Sequence, residues 1–190
     1  MKIYFTASVH GQEKFLENYE KIIDCLEKMG HSLVSKRPLD VQLDKVESEN
    51  DEEKISFYKK VLDWINKSDI VVAEISYPSI NVGHEISLAL EKGKPVIVLY
   101  TGKNEPHLLQ GLISEKIAIL NYNIDNLNDI LRGGLEEAKN QMDVRFNFFI
   151  SPKIGAYLDW IAKHKKLPRA VFLRRLIEEH MSKNKDYNKA

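Results

Sequence analysis

The sequence has little that would support a disulfide, a metal centre or a membrane span. Its 190 residues contain one cysteine, Cys25, which excludes an intramolecular disulfide and a cysteine-based metal cluster. Its six histidines show no ligand spacing such as His-x-x-x-His, so we predict neither a metal site nor a cofactor. No apolar run reaches membrane-spanning length, and the first residues lack the layout of a signal peptide. We therefore expect a cytoplasmic protein without a membrane partner.

An excess of charge of one sign is also missing. Lys and Arg together number 28, as do Asp and Glu, so the formal net charge is zero. This balance argues against nucleic-acid binding by the whole chain, but it leaves room for a local basic patch. The length suits one α/β domain with an appendage, or two small domains.

Short apolar segments alternate with amphipathic helical patterns over residues 1–142. We predict strands at residues 2–7, 31–35, 69–75, 96–100 and 116–122. We predict helices at residues 12–29, 51–67, 86–92, 106–113 and 123–142. This alternation predicts a doubly wound five-stranded parallel sheet, Rossmann-like or flavodoxin-like, with helices on both faces. The polar segment 36–50 is long for a connection, and we interpret it as a lid or a surface excursion.

The segment from Ser76 to Glu85 follows the apolar strand 69–75 and is predicted to be a strand-to-helix loop. Such loops lie at the carboxyl edge of an open α/β sheet, where ligands bind. Gly83 would let a ligand approach the backbone closely. Glu85 would lie in the first helical turn, where the helix dipole favours a charged carboxylate. Glu85 is therefore either a candidate nucleophile or only an acid at a helix start.

The loop Ser8-Val9-His10-Gly11 follows the first predicted strand and belongs to the same sheet edge. Its single glycine excludes a dinucleotide-binding fingerprint, and a Walker lysine motif is absent as well. Ser8 and His10 are candidates to bind a phosphate or a sugar. The alternative is that Ser8 caps the turn and His10 is a surface residue.

Together, these loops resemble those of the nucleoside 2-deoxyribosyltransferase superfamily, in particular its 2'-deoxynucleoside 5'-phosphate N-hydrolase branch. The resemblance rests on Lys2–Gly11, on Ser68–Glu74 followed by Pro78–Glu85, and on Gly93–Ile97. It covers about residues 1–125. It implies hydrolysis or transfer at the N-glycosidic bond of a nucleoside, a deoxynucleoside or a 5'-monophosphate.

The resemblance also implies roles for individual residues. Glu85 matches the catalytic glutamate that attacks the anomeric carbon, and Tyr4 matches the active-site tyrosine. Positions that match the 5'-phosphate site of the branch are Ser8, Gly11 and Ser79. Other expected substrate contacts in the two loops are His10, Asn81 and Gly83.

Three positions depart from the pattern of the branch. His10 stands where the branch has an arginine, which would make phosphate binding weaker or dependent on pH. Val61 stands where the branch has an aspartate that assists the leaving base. Asp63 is two residues further, about 200 degrees around a helix, and is either a catalytic acid or a surface acid. A serine that the branch takes from the neighbouring subunit falls near Gln110.

The pattern changes after residue 142, so we divide the chain into domains at 1–142 and 143–190. A predicted strand at 144–150 and two predicted helices, 152–164 and 169–181, resemble a ribbon-helix-helix module. This resemblance implies a homodimer or a higher homo-oligomer. The ribbon would present Arg145 and Asn147 to the DNA major groove. The alternative is that the module only dimerises the chain.

Three functions remain open from the sequence. The first is an enzyme that acts on an N-glycosidic bond with Glu85 as nucleophile. The second is a DNA-binding regulator that senses a nucleotide through its first domain. The third is a dimeric protein that binds a nucleotide without cleaving it.

Overall fold

The computed structural model describes residues 1–41, 48, 50–103, 105–111, 114–142, 148–165 and 167–184. The chain divides into two compact units, Met1–Asp143 and Val144–Ala190. None of the helices in the described ranges is long and apolar enough to cross a membrane.

The first unit consists of strands that alternate with helices. The strands are β1 (Lys2–Ala7), β2 (Ser32–Ser35), β3 (Ile70–Glu74), β4 (Val96–Tyr100) and β5 (Ile117–Asn121). The helices are α1 (Gln12–Lys28), α2 (Arg37–Asp40), α3 (Asp51–Lys67), α4 (Ile80–Glu91), α5 (His107–Gln110) and α6 (Leu127–Asn140). A single 3-10 turn, Val9–Gly11, lies between β1 and α1.

The strands form one parallel sheet in the order β2-β1-β3-β4-β5. The predicted doubly wound five-stranded parallel sheet is confirmed. The strands β1 and β3 are hydrogen-bonded neighbours from Ile3–Ile70 to Ala7–Glu74. The strand order reverses between them, because β2 lies on the far side of β1, whereas β4 and β5 follow on the far side of β3. Ligands in this fold bind at the carboxyl ends of the two strands at such a switch point.

Successive residues of the strands supply two hydrophobic layers, one on each face of the sheet. One layer contains Ile3, Phe5 and Val72 with side chains of α1 and α6. The other contains Tyr4 and Val71 with side chains of α3 and α4. Because β3 and β4 are buried on both faces, their sequences are almost continuously apolar.

Several helix ends follow from local sequence. Gly30 and Gly93 adopt positive φ angles of 80° and 70° after α1 and α4, which is a common way for a helix to end. Asn50 and Glu53 form a capping box at the start of α3, with both backbone-to-side-chain hydrogen bonds present. The carboxyl end of α3 is held by Lys94, whose Nζ donates to the carbonyl oxygens of Asn66 and Ser68.

One sequence prediction for a helix start was wrong. We predicted a loop up to Glu85, but α4 begins at Ile80 because the Ser79 side chain accepts a hydrogen bond from the Val82 amide. The last helix of this domain, α6, is continuous through the adjacent glycines 133 and 134. Gly134 lies so close to β5 that a Cβ atom there would be 2.8 Å from Leu120 Cδ1.

The polar segment 36–50 begins with α2, which is anchored to α1. The Gln12 side chain donates from Nε2 to the carbonyl oxygens of Pro38 and Val41, at 2.6 and 3.0 Å. This anchor fixes the start of the segment beside the carboxyl end of β1. Residues 42–47 and 49 lie outside the described ranges.

The second unit contains two helices, α7 (Pro152–His164) and α8 (Arg169–Lys183). Leu158 and Ile161 of α7 are buried, whereas no described residue of α8 is. Of the strand predicted at 144–150, Phe148 to Ile150 are described and are not in a strand. A ribbon strand requires a partner strand from a second chain. The rest of that strand lies outside the described residues, including the DNA-contact candidates Arg145 and Asn147.

Candidate active site

A cavity of about 60 Å³ opens at the carboxyl ends of β1 and β3, at the switch point of the sheet. It brings together six of the residues expected to act on a substrate: Tyr4, Ser8, His10, Ser79, Asn81 and Glu85. The other lining residues are Thr6, Ala7, Val9, Pro38, Phe57 and Val82. Side chains that are distant in the sequence therefore converge on one site.

The centre of the cavity is a hydrogen bond between Tyr4 and Glu85. The Tyr4 hydroxyl donates to Glu85 Oε2 at 3.0 Å. Both residues are buried, with 2 % and 8 % of their surface exposed. A buried carboxylate with a fixed hydroxyl donor has one orientation toward the cavity, which is what a nucleophile or an electrostatic stabiliser needs.

The position of Glu85 differs from the sequence prediction. It lies in the second turn of α4, because the helix already begins at Ile80. Its carboxylate therefore does not benefit from the unpaired amides of the first turn in the way we expected. The Tyr4 hydroxyl, from the neighbouring strand, supplies a hydrogen bond to it instead.

Aromatic packing holds Tyr4 in place. Its ring lies 5.7 Å from that of Trp64, and Trp64 packs edge-on against Phe57 at 6.1 Å. Trp64 and Phe57 both belong to α3, which covers this face of the sheet. Phe57 also lines the cavity. The sequence predictions missed Phe57, since only tertiary packing brings this helix face to the strand end.

Thr6 was also missed, although the sequence contained a signal for it. Side chains two residues apart in a strand point to the same face of the sheet. Tyr4 and Thr6 of β1, and Ser8 directly after it, therefore follow one another toward the cavity, and all three line it. Extending the period of two from Tyr4 would have identified Thr6.

Ser79 combines a structural role with a position in the site. It caps α4 by accepting a hydrogen bond from the Val82 amide at 3.4 Å. The first amides of the helix have no partner inside the helix, and such a helix start favours a negatively charged ligand. Ser79 also borders a neighbouring cavity of about 770 Å³, which extends toward Thr101 and Lys103.

Two hydrogen bonds to a backbone carbonyl hold the turn after β1. The Ser8 carbonyl accepts hydrogen bonds from the Gly11 amide at 3.0 Å and from the Tyr19 hydroxyl at 3.2 Å. Ser8 is buried and His10 is exposed. Gly11 does not line the cavity. A Cβ atom at Gly11 would lie 2.3 Å from the Tyr19 hydroxyl and 2.7 Å from Tyr77 Cβ, so this glycine allows close packing.

Two further candidates are not brought to this cavity. Gly83 lies within α4 and borders the larger neighbouring cavity, so it does not open the loop backbone to a ligand as we expected. Asp63 lies on the exposed face of α3 and forms an ion pair with Lys67 at 2.6 Å. Val61, in the same helix, is buried in the hydrophobic layer that contains Tyr4.

No group of three or more His, Cys, Asp or Glu side chains within the described ranges is arranged to hold a metal ion. The polar groups that line the cavity are the Tyr4–Glu85 pair and the hydroxyl, imidazole and amide groups around it.

Fold and site together define a class: α/β proteins with a buried tyrosine–carboxyl pair at the switch point of a parallel sheet. Comparison with known proteins identifies the family. The sequence model described as nucleoside 2-deoxyribosyltransferase matches residues 3–142. The chain belongs to the nucleoside 2-deoxyribosyltransferase family.

Individual relatives match about 70% of this chain. The chain is 29% identical over 144 residues to a protein of Thermofilum pendens named putative 2'-deoxynucleoside 5'-phosphate N-hydrolase 1, covering 72% of this chain and 99% of the relative. It is 32% identical over 135 residues to a protein of the same name from Nematostella vectensis, covering 68% and 90%. It is 27% identical over 135 residues to the 5-hydroxymethyl-dUMP N-hydrolase of Danio rerio, covering 69% and 93%.

A solved structure has the same fold. The 2-deoxyribosyltransferase of Bacillus psychrosaccharolyticus superposes with a TM-score of 0.52 at 24% identity, covering 68% of this chain and 91% of that protein. The matched part again leaves about a third of this chain unmatched.

Proposed function

We propose that this protein cleaves or transfers the N-glycosidic bond of a nucleoside, a deoxynucleoside or its 5'-monophosphate, with Glu85 as nucleophile. The observation that carries the proposal is the buried hydrogen bond from the Tyr4 hydroxyl to Glu85 Oε2, at 3.0 Å, in a cavity at the sheet switch point. Family membership and the names of the relatives support the same reaction class.

The reaction would proceed in two displacements. A Glu85 carboxylate oxygen attacks C1' of the sugar, the bond from C1' to the base nitrogen breaks, and its electron pair leaves with the base. The base takes a proton from solvent. Water or a second base then attacks C1' and gives up a proton to solvent, the bond from C1' to Glu85 breaks, and the Glu85 carboxylate is released. Tyr4 orients the attacking carboxylate and stabilises it when it leaves again.

The 5'-phosphate would bind beside the start of α4. Ser8 and Ser79 offer hydroxyl groups there, and the first amides of α4 offer further donors. His10 would add a cationic contact only when it is protonated. A nucleotide is larger than the cavity of about 60 Å³. It would therefore extend past Ser79 into the neighbouring cavity of about 770 Å³.

The leaving base has no assigned acid in this proposal. Val61 is an apolar side chain in the layer beneath the site, and Asp63 is paired with Lys67 on the exposed face of α3. We keep Asp63 outside the mechanism. An Asp63→Asn variant should therefore release base at the wild-type rate, which a measured loss of activity would contradict.

The test of the proposed function is a base-release assay. Wild type and Glu85→Gln are incubated with nucleosides and 5'-monophosphates, ribo and deoxy, with and without a second free base. We expect release by wild type and its loss in Glu85→Gln. Release that depends on the added base identifies a transferase, and release without it identifies a hydrolase. Equal release by the two proteins, or none by wild type, contradicts the proposal.

We further propose that the chain is a homodimer or a higher homo-oligomer through a ribbon-helix-helix-like second unit. In support, two helices with two buried α7 residues make too small a core to be stable alone. Many apolar side chains of this unit remain exposed in one chain, among them Phe149, Trp160 and Ile177. Sedimentation of the full chain tests this, and a monomer at micromolar concentration contradicts it.

A DNA partner is the second candidate function, and the distribution of charge favours it. Residues 144–190 carry 11 Lys and Arg against four Asp and Glu, a formal net charge of +7. Residues 1–143 carry 17 against 24, a net charge of −7. A basic unit attached to an acidic domain is suited to a polyanion.

Exposed aromatic rings of α7 are a second feature that suits nucleic-acid binding. Tyr157 and Trp160 stack at 6.3 Å with an interplanar angle of 13°, and Trp160 stacks on His164 at 4.9 Å and 22°. Tyr157 and Trp160 are about half exposed. Unpaired bases stack on such aromatic surfaces.

The test measures binding of the full chain to labelled double-stranded and single-stranded oligonucleotides over a range of salt concentrations. We expect affinity that falls steeply with salt and is lost in Arg145→Ala combined with Asn147→Ala. Lys59→Ala, which removes an exposed charge in the first unit, is the control and should not alter binding. Loss in Trp160→Ala alone would favour single strands over a ribbon in the groove. No binding at low salt leaves dimerisation as the role of the second unit.

A cytoplasmic location remains a prediction.

A further inference from the structure

We propose that Glu74 is a positioning residue that holds the two substrate loops, 8–11 and 76–79, in one arrangement. This rests on the proposed function, since the loops matter only where they contact substrate. Glu74 is the last residue of β3 and is fully buried. It is not among the residues that line the cavity.

The strand period places Glu74 on the opposite face of the sheet from the cavity. Val71 and Ala73 of β3 belong to the layer under α3 and α4, which contains Tyr4. Ile70 and Val72 belong to the layer under α1 and α6. Glu74 follows in the second series. Glu74 therefore supports the site from the face of the sheet that lies under α1 and α6.

One oxygen of Glu74 connects the ends of three neighbouring strands. Oε1 accepts hydrogen bonds from the Ser76 amide at 3.2 Å, from the Ser76 hydroxyl, and from the Tyr122 hydroxyl at 3.2 Å. The Ser76 Oγ atom in turn accepts from the Thr101 amide at 2.8 Å. The start of the loop that leads to Ser79 is thereby tied to the residues that follow β4 and β5.

The same cluster reaches the loop after β1 through α1. Asn18 Nδ2 donates to the Tyr122 hydroxyl at 3.0 Å, and the adjacent Tyr19 donates to the Ser8 carbonyl at 3.2 Å. Burial raises the pKa of Tyr19, and the charge of Glu74 raises it further, which indicates that the two groups are close. Tyr77, also near Tyr19, packs against Gly11. Both loops therefore rest on one cluster around Glu74.

Stability alone does not account for a glutamate at this place. Its Oε2 atom is buried and has no hydrogen-bond partner in the described part of the chain. Burial raises the pKa of Glu74, and the hydrogen bonds from Ser76 and Tyr122 offset part of that effect. An unsatisfied buried polar oxygen destabilises a fold. A carboxyl group kept there despite that penalty is consistent with a positioning role.

The test separates positioning of the phosphate from general loss of structure. Glu74→Gln keeps the volume and one acceptor oxygen, but it removes the negative charge and replaces Oε2 by an amide group. We expect KM for the 5'-monophosphate to rise by about tenfold, because the hydrogen bonds from Ser76 and Tyr122 are weaker to a neutral amide oxygen than to a charged carboxylate. kcat, and KM for the unphosphorylated nucleoside, should stay at wild-type values.

Two other variants complete the design. Tyr122→Phe removes one hydrogen bond to Oε1 and keeps the ring, so it should raise the same KM by less, and it replaces Glu74→Gln if that protein does not fold. Asp69→Asn is the control, because Asp69 accepts a backbone hydrogen bond from Lys2 at the opposite edge of the sheet. Unchanged KM in both test variants, or an equal loss for both substrates, overturns the proposal.

Binding measurements keep this proposal distinct from the proposed function. If wild type releases no base, calorimetry with 2'-deoxyuridine 5'-monophosphate and with 2'-deoxyuridine gives two Kd values instead. A Glu74→Gln change confined to the monophosphate then supports positioning although catalysis has failed. Wild type that binds neither compound overturns both proposals.

Discussion

The proposed reaction depends first on one pair of side chains, Tyr4 and Glu85. Tyr4 is fixed by the register of β1 and by the Trp64 ring, and Glu85 is fixed by its place in the second turn of α4. Their hydrogen bond joins a strand to a helix on one face of the sheet. Under the proposed function, a pair that is buried and oriented in this way is prepared for attack on a bound sugar.

Tyr4→Phe removes the hydroxyl and keeps the ring. We expect kcat to fall by about 10- to 100-fold, because a hydrogen bond to a charged group contributes roughly 1.5–3 kcal/mol. KM should change little. Steady-state base release measures both constants. Tyr58→Phe, which removes the hydroxyl of an exposed tyrosine on α3, is the control, and an equal loss in both variants would contradict a specific role for Tyr4.

The ionisation of Glu74 predicts how stability depends on pH. Its pKa is raised above 4.5 by burial, so the folded state favours the neutral carboxyl. The contribution of Glu74 is then fully present below the unfolded value and is lost as pH rises through the raised folded value. Wild type should therefore lose stability relative to Glu74→Gln as pH rises from about 4.5. Urea unfolding of both proteins between pH 4 and 8 measures the difference, and a constant difference would contradict it.

At the residue scale, the sequence sufficed to predict that the candidate site residues lie together, but not to predict the hydrogen bonds that support their loops. Tyr4, Ser8, His10, Ser79, Asn81 and Glu85 all line one cavity. The loops they come from follow neighbouring parallel strands, so sequence pattern and topology suffice to bring them together. The Glu74 cluster was not predicted, because its hydrogen bonds join residues up to 104 positions apart.

At the scale of elements, the start of α4 is decisive. Pro78, Asn81 and Gly83 are residues typical of turns, and they led to a predicted loop. The Ser79 cap outweighs these preferences, and the helix begins six residues earlier than predicted. Local propensity is a weak guide where one capping side chain and packing on the sheet decide the conformation.

Ser79→Ala should both weaken α4 and impair the site. We expect a loss of about 1 kcal/mol in the free energy of unfolding, as for other caps, and a higher KM for the 5'-monophosphate. Asn50→Ala removes the cap of α3 and is the matched control. It should cost similar stability and leave KM unchanged. Urea unfolding and steady-state kinetics measure the two effects, and a KM increase in both variants would contradict a role for Ser79 in binding.

At the scale of the whole molecule, the two units differ in charge, in packing and in resemblance to known proteins. The family match ends at residue 142, and the second unit begins near residue 144. The parallel sheet could be predicted because its central strands β3 and β4 are buried on both faces and therefore almost entirely apolar. The strand predicted at 144–150 is not formed at residues 148–150, and a ribbon strand needs a partner strand from a second chain.

A chain that ends at residue 142 should keep the base-release activity and lose nucleic-acid binding. The match to the Thermofilum pendens relative spans 144 residues and 99% of that protein, so a chain of this length is enough for a whole relative. Base release and oligonucleotide binding, measured on the full and the shortened chain, test the division of roles. Nucleic-acid binding that survives the deletion would contradict it.

The most direct test of the central claim is the stereochemistry of the transferred sugar. The reaction is run with methanol as a competing acceptor, and the methyl deoxyriboside is identified by nuclear magnetic resonance. Two displacements through Glu85 predict retention, and hence the β-methyl glycoside from a β-nucleotide. The α-methyl glycoside alone would show direct attack by the acceptor, and Glu85 would then not be the nucleophile.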